Sequence, residues 1–322
     1  MNKILESNAM KKAISIILTY GIIQLLISTN IISDYLQATL VTICINIILA
    51  VSLNLITGFT GQFSLGHAGF MSIGAYVCAL ITMRMPTVPG FIIGVLAAAT
   101  AAAVVGCLVG LPTLRLQGDY LAIATLGMSE IIRVVFLNLD ITNGAAGLNG
   151  IPQFVNWPWL FLFTAGTVVL ITNYLKSSHG RACISIREDE IAAEAMGINT
   201  TKYKVISFMI GAFCAGIGGA LYSSYFYFLK PDLFGFMKSI DILVIVVFGG
   251  LGSISGSIMA AVLLALISTF LQSFPEIRMV LYSLLLIIIM VFRPQGLMGS
   301  KEISFTIFRR FGDVFKSRKG RA

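Results

Sequence analysis

The stretch that decides the fold is NLITGFTGQFSLGHAGFMSIGAY, residues 54–76. It lies among long apolar runs, yet it is rich in glycine and carries Gln62, Ser64 and His67. In a bilayer, irregular backbone leaves N–H and C=O groups unpaired, so it is tolerated only against protein or a water-filled cavity. Two interpretations stay open: part of a permeation path, or a close helix–helix contact through small residues.

The composition is typical of a membrane protein. Of 322 residues, 57% are hydrophobic and 11% are charged, whereas a soluble domain has about 25% charged residues. The apolar runs are long and unbroken, unlike the alternating segments of an outer-membrane barrel. We therefore predict an all-α polytopic membrane protein. The net charge of +8 comes from Lys and Arg beside apolar spans, which favours cytoplasmic loops near anionic lipid over nucleic-acid binding.

The apolar segments predict about ten transmembrane helices, since a span needs about 20 residues. They lie near 13–29, 35–56, 67–83, 90–111 (ending at Pro112), 119–137, 158–175, 205–229, 239–250, 257–273 and 278–292. Lysines before the first span resemble those of a signal peptide, but no cleavage site follows, so we predict an uncleaved helix. Residues 1–300 form one predicted transmembrane domain, and residues 301–322 form a basic cytoplasmic tail.

The distribution of Lys and Arg predicts the orientation. Ten spans place both termini on one side, and cytoplasmic loops carry an excess of Lys and Arg. With cytoplasmic termini, the loop 176–204 and the tail after 292 lie inside and carry most of these residues. The outer links then hold only Arg84, Lys230, Lys238 and Arg278. Both termini are therefore predicted to be cytoplasmic.

A second glycine-rich interruption, FGGLGSISGS at residues 248–257, lies in the other half of the chain. Both interruptions follow a span that descends to the cytoplasm, which is typical of duplicated transporter halves; chance is the alternative in a chain with 31 glycines. Whether they are re-entrant segments or short cytoplasmic turns stays open. The candidate pathway residues are Gly61, Gln62, Ser64, Gly66, His67, Thr125, Ser129, Glu130, Gly249, Gly250, Gly252 and Ser253.

Glu130 and Arg133 lie within the fifth predicted span, where a lone charge costs about 2.5–3.5 kcal/mol. Their i, i+3 spacing lets them pair on one helix face. They form either a structural ion pair near the outer interface or, with Thr125 and Ser129, part of the pathway. Asp241 is a weaker candidate at the outer end of its short helix.

The loop 176–204 reads KSSHGRACISIREDEIAAEAMGINTTKYK. Ser185 and Glu188 fit a capping box, acidic residues suit the first turn, and Gly197 fits a helix stop. The loop therefore predicts one amphipathic helix of about ten residues. A helix that binds the membrane surface would have a basic polar face, whereas this face is acidic. Docking on a cytoplasmic partner is the favoured interpretation, and a connector on the membrane surface is the alternative.

The sequence carries no sign of catalysis. No G-x-x-x-x-G-K-[ST] motif occurs, so any ATP hydrolysis would belong to another subunit. His67 and His179 lie in separate segments, and the five cysteines are scattered without a C-x-x-C pair. We predict no catalytic residue, no metal site and no cofactor bound by this chain.

Four segments carry a family resemblance: NLITGFTGQFSLGHAGFMSIGAY, GDYLAIATLGMSEIIRVVF, TNGAAGLNGIP and VFGGLGSISGS. In this order they resemble the permease subunits of bacterial branched-chain amino-acid ABC importers, over about residues 35–300. The longer of the two paired permeases in such systems is the closer match. The resemblance implies an inner-membrane location, a second homologous permease, two cytoplasmic ATPase subunits that use ATP, and a periplasmic or lipid-tethered substrate-binding protein.

The resemblance also implies roles for particular residues. The family's ATPase-docking helix matches 181–197, which gives as coupling residues Arg181, Ser185, Arg187, Glu188, Glu190, Ile191, Ala193, Glu194 and Gly197. An outer loop with Asn143, Gly144, Gly147 and Asn149 would face the binding protein. The ends of the broken helices would hold the charged groups of an amino acid. Urea or short amides are alternative substrates, and an ion-coupled secondary transporter with Glu130 as its ion site is an alternative mechanism.

Overall fold

A computed structural model of the protein describes residues 18, 20–29, 33–116, 118–270 and scattered positions between 280 and 299. The helices are α1 (20–28), α2 (Asp34–Asn54), α3 (His67–Arg84), α4 (Val88–Thr113), α5 (Asp119–Asn138), α6 (Trp157–Lys176), α7 (Ser178–Glu188), α8 (Glu190–Ala195), α9 (Thr200–Phe226), α10 (Phe236–Gly249) and α11 (Ile254–Phe270). A π-helical segment, Leu55–Phe59, continues α2. The described strands are β1 (Leu148–Asn149) and β2 (Phe228–Leu229), which pair antiparallel.

The lengths of the helices fit a multi-pass membrane protein. Within the described residues, five helical segments are long and apolar enough to cross a bilayer: Asp34–Phe59, Val88–Thr113, Asp119–Asn138, Trp157–Lys176 and Thr200–Phe226. The segment predicted as the eighth span forms a short helix: α10 has 14 residues and covers about 21 Å, whereas a hydrocarbon core is about 30 Å thick. The predicted first and tenth spans lie partly outside the described residues, and the tail lies wholly outside them.

Small residues hold the centre of the bundle together. Helices α3, α4 and α9 pack against one another, and α2 packs on α9, α11 and α10. A Cβ atom added at Gly74 would lie 2.2 Å from the carbonyl oxygen of Gly216, and one at Gly219 would lie 2.0 Å from that of Met71. Glycine therefore permits backbone-to-backbone contact between α3 and α9, as small residues do in membrane bundles.

The outer helices expose apolar side chains. On α5, Tyr120 is 75% and Ile123 65% exposed, and on α4 Leu108 is 65% exposed. By contrast, α2 and α9 are buried along most of their length. Contiguous apolar surface of this kind belongs against lipid or another subunit. Helices α2, α3 and α9 are thus the most buried, and α4, α5 and α6 each expose an apolar face.

Each end of the bundle brings together loops that are distant in the sequence. At one end, both interruptions lie against each other and against α7. The turn at 296–299 joins them, since the Leu297 N–H donates to the Phe248 carbonyl. We name this the interrupted end. At the opposite end, β1 pairs with β2 and thereby joins the loop after α5 to the loop after α9.

Two predicted boundaries are wrong. The fourth span does not end at Pro112, because α4 continues to Thr113; in the last turn the missing N–H of proline removes a single hydrogen bond. The loop 176–204 holds two helices instead of one. Ser177 caps α7 by accepting from Gly180 N, and Asp189 caps α8 by accepting from Ala192 N.

The predicted capping box is therefore absent. Ser185 lies inside α7, where its hydroxyl donates to the Ala182 carbonyl, and Glu188 is the last residue of that helix. Asp189 has an extended backbone with φ −157°, and an aspartate in that conformation is a strong N-cap. The break at Asp189 thus divides the predicted helix in two.

Candidate functional site

The first interruption begins where α2 becomes π-helical. The Thr60 hydroxyl donates to the Leu55 carbonyl, and Gln62 N donates to the Ile56 carbonyl at 3.0 Å. Gly61 then turns the chain with φ +75°, a conformation that glycine adopts without a steric cost. Helix α3 begins at His67. Single π-helical turns inside helices are frequent at functional sites. The π-helical end of α2 therefore supports the first interruption as a candidate functional segment.

The second interruption lies between α10 and α11. Gly250 and Gly252 have φ +112° and +87°, so the chain turns back at once after α10. A Cβ atom added at Gly249 would lie 2.6 Å from the Gly256 carbonyl carbon. The two half-helices therefore meet closely at their ends, which only small residues allow.

Asn54 joins the two interruptions. Its side-chain amide donates to the Ser253 carbonyl at 2.9 Å and to the Ser257 hydroxyl at 2.8 Å, and its Oδ1 accepts from Gly252 N at 2.9 Å. Asn54 is fully buried. Sequence reasoning missed its role, although a polar side chain at the end of an apolar span was a usable signal.

Arg187 of α7 also contacts both interruptions. Its Nη1 donates to the Gly58 carbonyl at 2.7 Å, and its Cγ lies 3.4 Å from the Cβ position of Gly61. The same Nη1 lies 2.6 Å from the Cβ position of Gly252. Arg187 is one of the predicted coupling residues. In the structure its guanidinium contacts both interruptions, and its side chain is 33% exposed.

The polar residues of the first motif fall into two groups. His67 and Ser64 each have one partner: His67 Nε2 lies 2.7 Å from the Ser52 hydroxyl, and Ser64 Oγ accepts from Gly66 N. These contacts hold the interruption together. His67 Nδ1 has no partner among the described residues. Gln62 is 3% exposed, and neither atom of its amide has a hydrogen-bond partner in the described part of the chain. A buried amide without hydrogen-bond partners lowers the stability of the folded state. Gln62 is therefore a candidate for contact with a ligand.

Thr125 and Ser129 of α5 lie beside the start of α3. The Thr125 hydroxyl accepts from Leu65 N at 3.1 Å, and Ser129 Oγ lies 3.0 Å from the Cβ position of Gly69. Ser129 Oγ has no partner among the described residues. The structure therefore brings the α5 candidates and the first motif into one cluster.

Two N–H groups at the beginning of α3 already have acceptors within the protein. Ala68 N donates to the Ser239 hydroxyl, and Gly69 N donates to the Gly66 carbonyl. The N–H groups at a helix start bind anions only when they lack partners within the protein. In this conformation, these two are not available to a substrate carboxylate.

The predicted pair of Glu130 and Arg133 is confirmed and has a third member. Arg133 Nε lies 2.7 Å from Glu130, and Arg133 Nη1 lies 3.1 Å from Asp232. Asp232 belongs to the short turn Pro231–Phe234, so the triad fastens α5 to the loop before α10. Because Asp232 is 72% exposed, the geometry favours the structural interpretation over an ion site.

Helix α8 exposes apolar side chains at the interrupted end. Ile191 and Met196 are 82% and 83% exposed. The other face is held to α9, where Glu190 pairs with Lys204 and Glu194 accepts from the Thr200 hydroxyl. Ala193, a predicted docking residue, is instead buried on that held face.

The remaining predicted residues have mostly local roles. Gly197 has φ +84° two residues after the end of α8, as a helix stop requires. In the outer loop, Gly147 is buried with φ +75°, and a Cβ atom there would lie 2.0 Å from the Leu229 carbonyl oxygen. Asn143 and Asn149 are exposed and Gly144 is half-buried.

Arg181 and Ser185 lie on α7, where Arg181 donates to the Lys176 carbonyl. Among the described residues, no cluster of His, Cys, Asp and Glu could hold a metal ion.

Comparison with known proteins gives a consistent picture. The family described as "Branched-chain amino acid transport system / permease component" matches residues 35–290. The permease protein LivM of a high-affinity branched-chain amino acid transport system from Salmonella typhimurium is 37% identical, over 79% of this chain and 68% of the relative. LivM from Escherichia coli K12 is 36% identical over the same shares. The permease protein LivH from Salmonella typhimurium is 26% identical over 80% of this chain and 92% of its own length. No solved structure gave a significant match.

Proposed function

The chain belongs to the family of permease components of branched-chain amino-acid transport systems, and from this we propose that it is one of two different permeases in an ATP-driven ABC importer. Its substrate would be leucine, isoleucine or valine. The family is one of transport proteins, not of enzymes, and the chain is a multi-pass membrane protein. We further propose ten spans, cytoplasmic termini and a place in the bacterial inner membrane.

Three kinds of partner are proposed. A second, homologous permease would complete the path, and the similarity of this chain to both LivM and LivH supports a pair of related subunits. Two cytoplasmic ATPases would dock on α8 and use ATP. A periplasmic or lipid-tethered binding protein would contact the exposed Asn143 and Asn149.

One observation carries the proposal of an ATP-driven importer. Ile191 of α8 and Met196, the residue that follows α8, are exposed, and α7, which precedes α8, contacts the first interruption through Arg187. A short helix with exposed apolar residues suits a groove on a partner protein. Glu130, the ion site that a secondary transporter would use, is instead paired with Arg133 at 2.7 Å. The arrangement therefore favours coupling to a second protein over coupling to an ion gradient.

We propose that the path passes between the first interruption and α5. Gln62 is the foremost candidate for contact with substrate, because its buried amide has no partner among the described residues. Ser129 is the second candidate for the same reason. Gly61, Ser64, Gly66, His67, Thr125, Gly249, Gly250, Gly252 and Ser253 would shape the path by holding the broken helices in place.

Reconstitution tests the function directly. The chain is placed in proteoliposomes with its second permease, the ATPases, the binding protein and ATP, and uptake of labelled leucine, isoleucine and valine is measured, with labelled urea in parallel. We expect uptake of the amino acids only when every subunit and ATP are present. Uptake by the chain alone that an ionophore abolishes would establish the secondary transporter instead, and uptake of urea alone would replace the substrate.

Docking is tested at Ile191. We expect I191R to remove the ATPase from the purified complex, because an arginine would bring an unpaired charge into an apolar contact. I141R is the matched control, since Ile141 is 61% exposed at the opposite end of the bundle. Co-purification of the ATPase, measured on gels, should be lost in I191R and kept in I141R. ATPase retained by I191R would contradict docking on α8.

A further inference from the structure

We infer that Arg187 is a positioning residue that carries movements of α7 and α8 to the two interruptions, so that ATP hydrolysis in the partner subunits rearranges the path. The inference rests on the proposed function and deepens it. It assigns to Arg187 a contact inside the permease, in place of a contact with the ATPase.

The hydrogen bond of Arg187 reaches a group that a helix leaves without a partner. The last carbonyl groups of a helix have no intrahelical donor, and Gly58 belongs to the final π-helical turn after α2. Arg187 Nη1 supplies a donor to that carbonyl at 2.7 Å. The end of α2 is thereby fixed by a side chain that lies 129 residues later in the sequence.

Glycines make room for the same guanidinium in both interruptions. A Cβ atom at Gly252 would lie 2.6 Å from Arg187 Nη1, and one at Gly61 would lie 3.4 Å from Arg187 Cγ. Since Asn54 already binds Gly252 N, a displacement of Arg187 acts on two segments that are joined to each other. Glu188 Oε1 lies 3.9 Å from Arg187 Nε but is 71% exposed, so the Gly58 carbonyl is the firmer anchor.

Arg187 is also firmly joined to the docking helix. Only Glu188 and Asp189 separate it from the first residue of α8, and Ile186 beside it is buried. A partner that moves Ile191 on α8, and Met196 directly after it, therefore moves Arg187 with them. A planar guanidinium with several donors suits this role better than the single ammonium of lysine.

The experiment compares R187A, R187K and R115A in the complete reconstituted importer. Arg115 is the matched control, because it is an exposed arginine in the link between α4 and α5 and is not one of the coupling residues. For each variant, assembly with the ATPases, the rate of ATP hydrolysis and the number of amino-acid molecules transported per ATP are measured. We expect R187A to assemble and hydrolyse ATP while transport per ATP falls by about tenfold, within the range of known coupling energies; transport per ATP should fall less in R187K, and R115A should match the wild type.

Three results decide the matter. Transport per ATP in R187A equal to that of the wild type would overturn the inference. Loss of assembly in both R187A and R187K, with R115A intact, would also overturn it, since Arg187 would then serve docking or folding. If the wild-type complex itself shows no ATP-driven uptake, the proposed function fails instead, and that outcome is distinguished by the wild-type control alone.

Discussion

At the scale of single residues, Asn54 makes the side-chain hydrogen bonds that join the two interruptions. It is the first letter of the decisive stretch, and its three hydrogen bonds reach partners 198 to 203 residues away. Local patterns contain no information on such distant partners. The pair of Glu130 and Arg133, by contrast, was predictable because both groups lie one helical turn apart. Sequence reasoning thus recovered the local contact and missed the long-range one.

We expect N54L to destabilise the protein strongly. The substitution leaves the Gly252 N–H buried without its acceptor, at about 1–3 kcal/mol for the unpaired group, and it removes the donor that links α2 to Ser253 and Ser257. T57V is the control, because the Thr57 hydroxyl donates only to the Leu53 carbonyl of its own helix. Thermal unfolding of the purified permease in detergent should show a clear drop for N54L and little change for T57V. Equal midpoints for the two variants would refute the joining role of Asn54.

At the scale of elements, most helix positions were predictable, but the loop 176–204 was predicted to hold one helix and holds two. Predicted spans at 67–83, 119–137 and 158–175 agree closely with α3, α5 and α6, because apolar length and Gly or Pro punctuation are local signals. The break at Asp189 was missed because Ser185 and Asp189 are both acceptable caps. Which one is used depends on how α7 packs, and that is a tertiary property.

The close packing between α3 and α9 can be tested with a substitution at Gly219. G219A should reduce stability by about 1–3 kcal/mol, because a methyl group would be forced against the Met71 carbonyl, 2.0 Å away. G127A is the matched control in α5, where nothing lies within 4 Å of the added atom; it should be neutral or stabilising by up to about 1 kcal/mol. Thermal midpoints in detergent measure both. A G219A protein as stable as G127A would show that α3 and α9 separate easily.

At the scale of the whole molecule, the sequence predicted which loops share a side, and the structure brings those loops together at two ends. It could not predict that the two interruptions touch, since their contact joins the two halves of the chain. Nor could it show which polar groups of the first motif stay buried without a partner in the described part of the chain, namely the Gln62 amide, His67 Nδ1 and the Tyr76 hydroxyl. Both facts arise from packing between distant segments.

Accessibility to a membrane-impermeant maleimide tests the orientation. I191C should be labelled only in inverted membrane vesicles and I141C only in spheroplasts, since the two exposed positions lie at opposite ends. The native cysteines give little background because four are buried and Cys107 is half-buried; the unsubstituted chain is the control. Labelling of both positions from the same side would contradict the proposed span count.

The π-helical turn at the end of α2 has a geometrical consequence. A π turn contains more residues than the 3.6 of an α turn, and each residue turns an α-helix by about 100° about its axis. Leu55–Phe59 therefore sets the direction in which the Gly58 carbonyl points. Removing a single residue there would aim that carbonyl away from Arg187, even with every side chain of the contact retained. The alignment between the end of α2 and the loop helices depends on a count of residues as well as on their chemistry.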